Sequence, residues 1–230
     1  MTDKKDFVIS LKHTLVKYKG KGRHIVIPDG VRKIKDSAFW NCKELVSVVI
    51  PDSVTEIGQY AFCGCENLRS VTLSNQLTCI PPAMFWRCES LVSVTIPDSI
   101  QAIGKFAFSN CKSLCSVVLP DSIHVIDEGA FVGCNNLDAI TIPSQVTKLS
   151  SGVLLGCHSL HTFVLQDGIT EIAREALAEC EKLEKIFVPA SVTKIGKDAF
   201  RSCDKVVIHA PRGSYAETYA KEHNIKFSAE

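Results

Sequence analysis

No apolar run in this chain approaches the roughly 18 residues that a helix needs to cross a bilayer, so a membrane span is not expected. The stretch from Ile9 to Val16 is broken by Lys12 and His13, and no export-signal core is visible. No Gly-, Ser- or Pro-rich linker divides the 230 residues, which favours one continuous body. Net charge is scarce too: 26 Lys and Arg stand against 25 Asp and Glu, for +1, which argues against a nucleic-acid binder. Phosphate loops, nucleophile elbows and metalloprotease helices are missing as motifs. With 46% apolar residues, however, the chain can bury a core, which excludes disorder.

The near-zero total hides an asymmetry. Residues 1–35 carry ten Lys and Arg against three acids, +7, leaving −6 for the remainder. Lys4, Lys5, Lys12, Lys17, Lys19 and Lys21 make the N-terminal end basic. A solvated terminal edge is the plainer reading of this cluster, and an anionic surface as its partner is the other.

Cysteine, by contrast, is plentiful, and its spacing organises the chain. Cys42, Cys65, Cys88, Cys111, Cys134, Cys157, Cys180 and Cys203 are each 23 residues apart. Three residues before each stands Phe39, Phe62, Phe85, Phe108, Phe131, Leu154, Leu177 or Phe200, with Ala38, Ala61, Ala107, Ala130, Ala176 and Ala199 just ahead of six of them. A further column runs Ile34, Ile57, Ile80, Ile103, Ile126, Leu149, Ile172, Ile195. A fixed period of this length marks stacked coils, because a 23-residue unit cannot bury its own apolar face.

After each cysteine the pattern Cys-x-x-Leu-x-x-Val-x-Ile/Leu ends in an alternation that predicts a strand with one face inward, as in Leu45, Val48 and Ile50. Nine such strands, ending near residues 27 to 208 and about 4.8 Å apart, predict a parallel sheet on the order of 40 Å long. Pro28, Pro51, Pro97, Pro120, Pro143 and Pro189 end strands, since proline has no N–H to give the ladder. The aspartates that follow, such as Asp29 and Asp52, suit Asx-type turns. The expected fold is thus an α/β-type repeat solenoid, a right-handed leucine-rich-repeat arc with the sheet on its concave face. Turns and short helical or 3-10 segments should form its convex face. Residues 1–24 are expected to form an N-terminal cap, 25–210 the repeats and 211–230 a C-terminal cap. In the last, Ser214 and Glu217 suggest a capping box, with Tyr215, Ala216, Tyr219 and Ala220 on one side of a short helix.

The repeat Ile-Pro-Asp-Ser-Val-Thr-x-Ile-Gly-x-x-Ala-Phe-x-x-Cys-x-x-Leu, spelled almost fully by Ile50 to Leu68 and Ile96 to Leu114, resembles the BspA-type, or Treponema pallidum-type, leucine-rich repeat. Leu15 to Gly20 and Gly213 to Ala220 also resemble the ends of bacterial members. The resemblance implies a bacterial or protist protein, often surface-exposed, that binds host or neighbouring-cell proteins and has no catalytic site. The missing export signal points instead to the cytoplasm.

Candidate chemistry is sparse. A ladder of equal steps spreads cysteines out, whereas metal ligands must converge, so the eight are expected to act as small buried apolar residues. The odd total of 11 works against a complete disulfide set and favours a reducing compartment. Cys63, Cys79 and Cys115 lie off the ladder, and the variability of the Cys63 column (Trp40, Trp86, Ser109, Arg201) predicts exposure there. Cys157, His158 and His161 are the nearest approach to a metal set, but Cys157 should point inward. Neither a cofactor nor a metal is expected.

Two surfaces are candidates for a partner. On the sheet, outward columns include Ser47, Ser70 and Ser93, and Thr72, Thr95, Thr141 and Phe187, a small and nearly uncharged face. On the opposite side Trp40 and Trp86 follow the Phe column, and Tyr60 and Phe106 precede it by two. These four form either an exposed patch or an outer core layer. The function expected is a non-enzymatic protein-protein interaction module, adhesin-like, with an unidentified protein ligand and a monomeric chain. An intracellular scaffold is the alternative, and a thiol or metal-dependent enzyme using Cys63 or His158 and His161 a remote one.

Overall fold

In the computed structural model, which describes residues 4–230, every coil of 23 residues makes two short strands and a run of turns. The front sheet holds the strands foreseen from the Val-x-Ile pattern, His24–Val26, Ser47–Val49 and Ser70–Thr72 through to Val207–Ala210. Pairing is parallel and in register at the repeat spacing: His24 lies beside Ser47, Ser47 beside Ser70, and Ser70 beside Ser93. Val48, Val71, Val94 and Val117 point inward and are buried.

A second parallel sheet, on the side of the solenoid, is built from the Ile column. Its strands are only two residues long, among them Lys33–Ile34, Glu56–Ile57, Cys79–Ile80 and Ala102–Ile103. The inner residue of each is buried, while the outer one carries charge in several coils. Lys33 Nζ lies 2.5 Å from Glu56 one coil on, and Glu171 bridges Lys148 and Lys194, each at 3.2 Å. Burial works to raise the Glu171 pKa, but hydrogen bonds from the two lysines outweigh it and hold the carboxyl below its usual value. Such exposed pairs contribute little singly.

The third run is the turn face, and here the expected helical segments are absent among the described residues. Short consecutive turns replace them, as in Trp40 N–H to Ser37 O (3.1 Å) and Cys42 N–H to Phe39 O (3.1 Å). Two left-handed residues per coil prevent a helix from propagating. One column is Ser37, Tyr60, Ala83, Phe106 and Gly129 (φ 57, 58, 51, 55 and 61°), and the other is Asn41, Gly64, Arg87 and Asn110 (φ 56, 73, 59 and 59°). The amides this frees bond from coil to coil: Phe39 N–H to Ala61 O, Phe62 N–H to Met84 O and Phe85 N–H to Ala107 O, at 2.8, 2.9 and 2.8 Å.

Corners follow the sequence only in part. The Pro carbonyl accepts from the residue three on, as in Val54 N–H to Pro51 O at 2.9 Å, which closes the turn. Asp52 does not fold back into an Asx turn; its Oδ1 accepts the N–H of Asn75 in the next coil at 2.8 Å. The aspartate thus links successive corners rather than closing its own, which the Val54 N–H to Pro51 O bond already does.

Between the three runs lies one core. The Phe column forms a stacked spine, with ring centroids 4.7 Å apart for Phe39–Phe62, 5.8 Å for Phe62–Phe85, and 5.3 Å for both Phe85–Phe108 and Phe108–Phe131. Tyr18, on the Thr14–Tyr18 strand, extends it by one step at 5.3 Å from Phe39, and Phe7 lies on Tyr18 at 5.1 Å. The Phe7–Ile9 strand pairs antiparallel with Thr14–Tyr18 at this end. Residues 1–3 of the segment foreseen as a cap lie outside the described residues.

At the other end the Tyr215–Glu222 helix starts at Ser214, whose Oγ accepts from Glu217 N–H at 3.3 Å; Glu217 returns to Gly213 N–H at 2.7 Å. Ala216, Tyr219 and Ala220 are buried against the last coil, but Tyr215, foreseen on the same side, faces solvent. Neighbours separated by 100° of helix cannot all share so narrow a stripe. The closing strand, Lys226–Ala229, pairs parallel with Val207–Ala210.

Candidate functional site

The turn face positions the aromatic residues. Phe39 and Phe85 are inward, and the next residue in each coil, Trp40 or Trp86, lies on the outer side of the turn, where a side chain this large reaches solvent. Tyr60 and Phe106 occupy the left-handed column, where the backbone carries the side chain away from the interior. All four are exposed: Trp40 by 61%, Tyr60 by 41%, Trp86 by 39% and Phe106 by 41%. They are a surface patch rather than an outer core layer.

Their arrangement is a checkerboard. Down one column large and small residues alternate as Trp40, Cys63, Trp86, Ser109; down the adjacent column the alternation runs out of phase, Ser37, Tyr60, Ala83, Phe106. Every aromatic therefore stands beside small neighbours, and the gaps become hollows. One, of 240 Å³, is lined by Ser37, Trp40, Tyr60, Cys63 and Trp86. The next, of 360 Å³, is lined by Tyr60, Ala83, Trp86, Phe106, Ser109 and Asn110. Tyr60 and Trp86 form the wall between them, ring centroids 6.4 Å apart and tilted by 56°. Of the floor residues, Ala83 and Ser109 are not candidates from sequence and Cys63 is one only as a reactive thiol, although the large–small alternation is there to be read.

Cys63 corrects an expectation. Instead of an exposed thiol it is 5% exposed, roofed by the two tryptophans that occupy the same column in the flanking coils. Burial raises its pKa, against the opposing pull of Arg87 and of a hydrogen bond from the Trp40 indole. A thiol held protonated is a poor nucleophile.

The ladder thiols are buried from Cys65 onward, and each makes a specific bond. Cys65 Sγ donates to Phe39 O at 3.1 Å, Cys88 Sγ to Phe62 O at 3.2 Å and Cys111 Sγ to Phe85 O at 3.3 Å, a pattern continued to Cys203 and Leu177 O. Phe39 O already accepts Cys42 N–H, so the thiol satisfies the carbonyl's second lone pair. Cysteine thus supplies a small apolar body and a donor at one position. Burial pushes the Cys134 thiol up to about 12 and Cys42 to about 11. An Ellman titration of the native protein is accordingly expected to show two fast thiols, the exposed Cys79 and Cys115. Half-buried Cys42 should react more slowly and the eight buried thiols only on unfolding; fast reaction of the buried ladder would contradict this packing.

Cys157, His158 and His161 do not converge. Cys157 Sγ turns inward to Phe131 O at 3.4 Å, while His158 Nδ1 lies 3.3 Å from Asn135 Nδ2. Among the described residues no group of three or more His, Cys, Asp or Glu is placed to hold a metal, and no helix is long and apolar enough to cross a membrane.

On the front sheet, Ser70, Thr72, Ser93, Thr95 and Thr141 are exposed. Ser47 is half-buried, with Oγ 2.8 Å from His24 Nδ1. Phe187 is also half-buried, its ring stacked on His209 at 4.7 Å. A shallow hollow of 300 Å³ lies between Ser93, Thr95, Ser116 and Val118, where strand pairing thins to the single bridge Thr95–Val118. Its apolar exposure comes from short side chains, Val26, Val49, Val118 and Val164, of which Val118 is the most exposed at 81%.

The BspA type leucine rich repeat region matches residues 12–97 and 80–207, with six copies in all. The chain belongs to the BspA-type leucine-rich-repeat family. This BspA-type chain is similar in structure to the T. pallidum leucine rich repeat protein, at 28% identity and a TM-score of 0.64, covering 99% of this chain and 97% of the other. A leucine-rich repeat protein from Bacteroides ovatus shares the fold at 20% identity and a TM-score of 0.50, with coverage of 100% and 74%. No curated protein matches the BspA-type chain by sequence. Membership places it in a repeat family suited to protein interaction.

Proposed function

We propose that this chain is a non-enzymatic, adhesin-like module that holds a protein partner on its turn face, with Trp40, Tyr60, Trp86 and Phe106 as anchors. The observation that carries the reading is the checkerboard. Four large aromatics stay in water although the chain has a full core for them, and contiguous exposed apolar surface of this kind marks a contact. Trp and Tyr are also the residues that dominate binding energy when a partner covers them. Left-handed backbone does not by itself explain the choice, because Glu175 and Asp198 occupy the same column.

The sheet residues Ser47, Ser70, Thr72, Ser93, Thr95, Thr141 and Phe187 are the second surface. Short β-branched side chains there already suit parallel strands, so they call for no partner. Photo-crosslinking separates the two. A crosslinker at Asn110, on the rim of the larger hollow, is expected to trap the partner from the native source, and one at Thr141 is not. Trapping from Thr141 alone would move the site to the sheet.

An intracellular scaffold is the second reading, supported by 11 free thiols, which suit a reducing compartment. Protease treatment of intact cells distinguishes it: digestion supports surface adhesion, and full protection supports the scaffold.

A further inference from the structure

The N-terminal end of the solenoid carries two features that the turn face does not use. The first is an apolar point. The Phe7–Ile9 and Thr14–Tyr18 strands form a hairpin whose loop is closed by Ser10 N–H to Thr14 O at 2.9 Å and His13 N–H to Ser10 O at 3.0 Å. Leu11 projects from its apex, 102% exposed, and Val8 and Ile9 behind it also face solvent. Phe7, Leu15 and Tyr18 of the same hairpin are buried, so the hairpin has separated an inner apolar set from an outer one.

The second feature is charge. Lys12 follows Leu11 at the apex, Lys17 stands opposite Val8 in the strand register, and Arg32 is tied to the hairpin through its N–H to His13 O at 2.9 Å. Lys19, Lys21 and Arg23 are exposed too, beyond the Phe7–Tyr18 pair at the other end of the hairpin. None of these six forms an ion pair among the described residues. In later coils Lys33, Lys43, Lys105, Lys112 and Lys148 each pair with a glutamate one coil away.

We propose that this hairpin rests against an anionic lipid bilayer, with Leu11 and Ile9 entering the headgroup–acyl boundary and Lys12, Lys17 and Arg32 meeting lipid phosphates. Charge complementarity selects an anionic partner, since Lys12, Lys17 and Arg32 lie on or beside the hairpin with no ion pair among the described residues. Leu11 selects the bilayer among such partners: nucleic acids and sulfated polysaccharides present charge without an apolar phase, whereas the bilayer boundary offers both. Attachment of this kind lies on the membrane and needs no spanning helix. Each basic residue at an anionic surface strengthens it roughly fivefold.

Co-sedimentation with vesicles tests the proposal. Phosphatidylcholine vesicles containing phosphatidylglycerol are expected to bring the protein down, phosphatidylcholine alone is not, and high salt should release it. Leu11→Ser should weaken sedimentation by about tenfold without changing elution from heparin, and Lys12→Glu with Arg32→Glu should weaken both. These side chains are exposed, so circular dichroism should show each variant folded. Failure to bind anionic vesicles at low salt would overturn the proposal. Leu11→Ser sedimenting like the wild type would also do so, by reducing the surface to a general polyanion contact. So would sedimentation equilibrium showing a dimer that Leu11→Ser dissolves, which would make the hairpin a self-association site. None of these outcomes bears on the turn-face reading.

Discussion

Phe85→Ala is expected to destabilise the protein by about 4 kcal/mol, the largest effect of any single truncation considered. Phe85 is fully buried and stands in the middle of the spine, 5.8 Å from Phe62 and 5.3 Å from Phe108. Removing a buried Phe ring generally costs about 3–5 kcal/mol, because the cavity collapses only in part. Here it also removes two stacked contacts, each contributing roughly 0.5–1.5 kcal/mol. A solenoid coil has no neighbours except the coils before and after it, so the damage cannot be shared widely. Urea unfolding followed by circular dichroism measures this. A loss below about 1.5 kcal/mol would mean that Leu68, Leu91 and the Ile column hold the coils without the spine.

How the residues reveal this structure depends on whether a column repeats. Phe39 to Phe131 and Cys42 to Cys203 recur at 23 residues, and identical surroundings impose identical residues, so the core and front sheet were legible. The side sheet was not. Lys33–Ile34 and its counterparts are two residues long, too short to show a period of two, and their pairing exists only once coils are stacked. The same limit explains Asp52, whose partner Asn75 is distant in sequence and adjacent in space. For Cys63, column variability predicts exposure, and the structure buries the thiol. The variability records instead alternation between large and small residues, in which Trp40 and Trp86 cover the cysteine between them. The candidate aromatics were visible singly, but the hollows they enclose were not, because each hollow draws on three coils.

Trp40→Ser with Trp86→Ser should produce the opposite result from Phe85→Ala, although Trp86 is the very next residue. Trp40 is mostly in water and Trp86, 39% exposed, packs beside Tyr60 outside the Phe spine, so the double variant is expected to lose about 2 kcal/mol of stability. Buried aromatic anchors at interfaces each contribute 2 kcal/mol or more, and losing two implies a binding defect on the order of a thousandfold. The repeating columns make the fold, and the irregular aromatics are proposed to make the contact. The most direct test measures thermal unfolding and capture of a crosslinked partner from the native source on the same preparation of this double variant. A melting curve close to wild type together with loss of the captured partner is the predicted result. An unfolded variant would show that the tryptophans belong to the core, and a folded variant that still captures the partner would show that binding lies elsewhere.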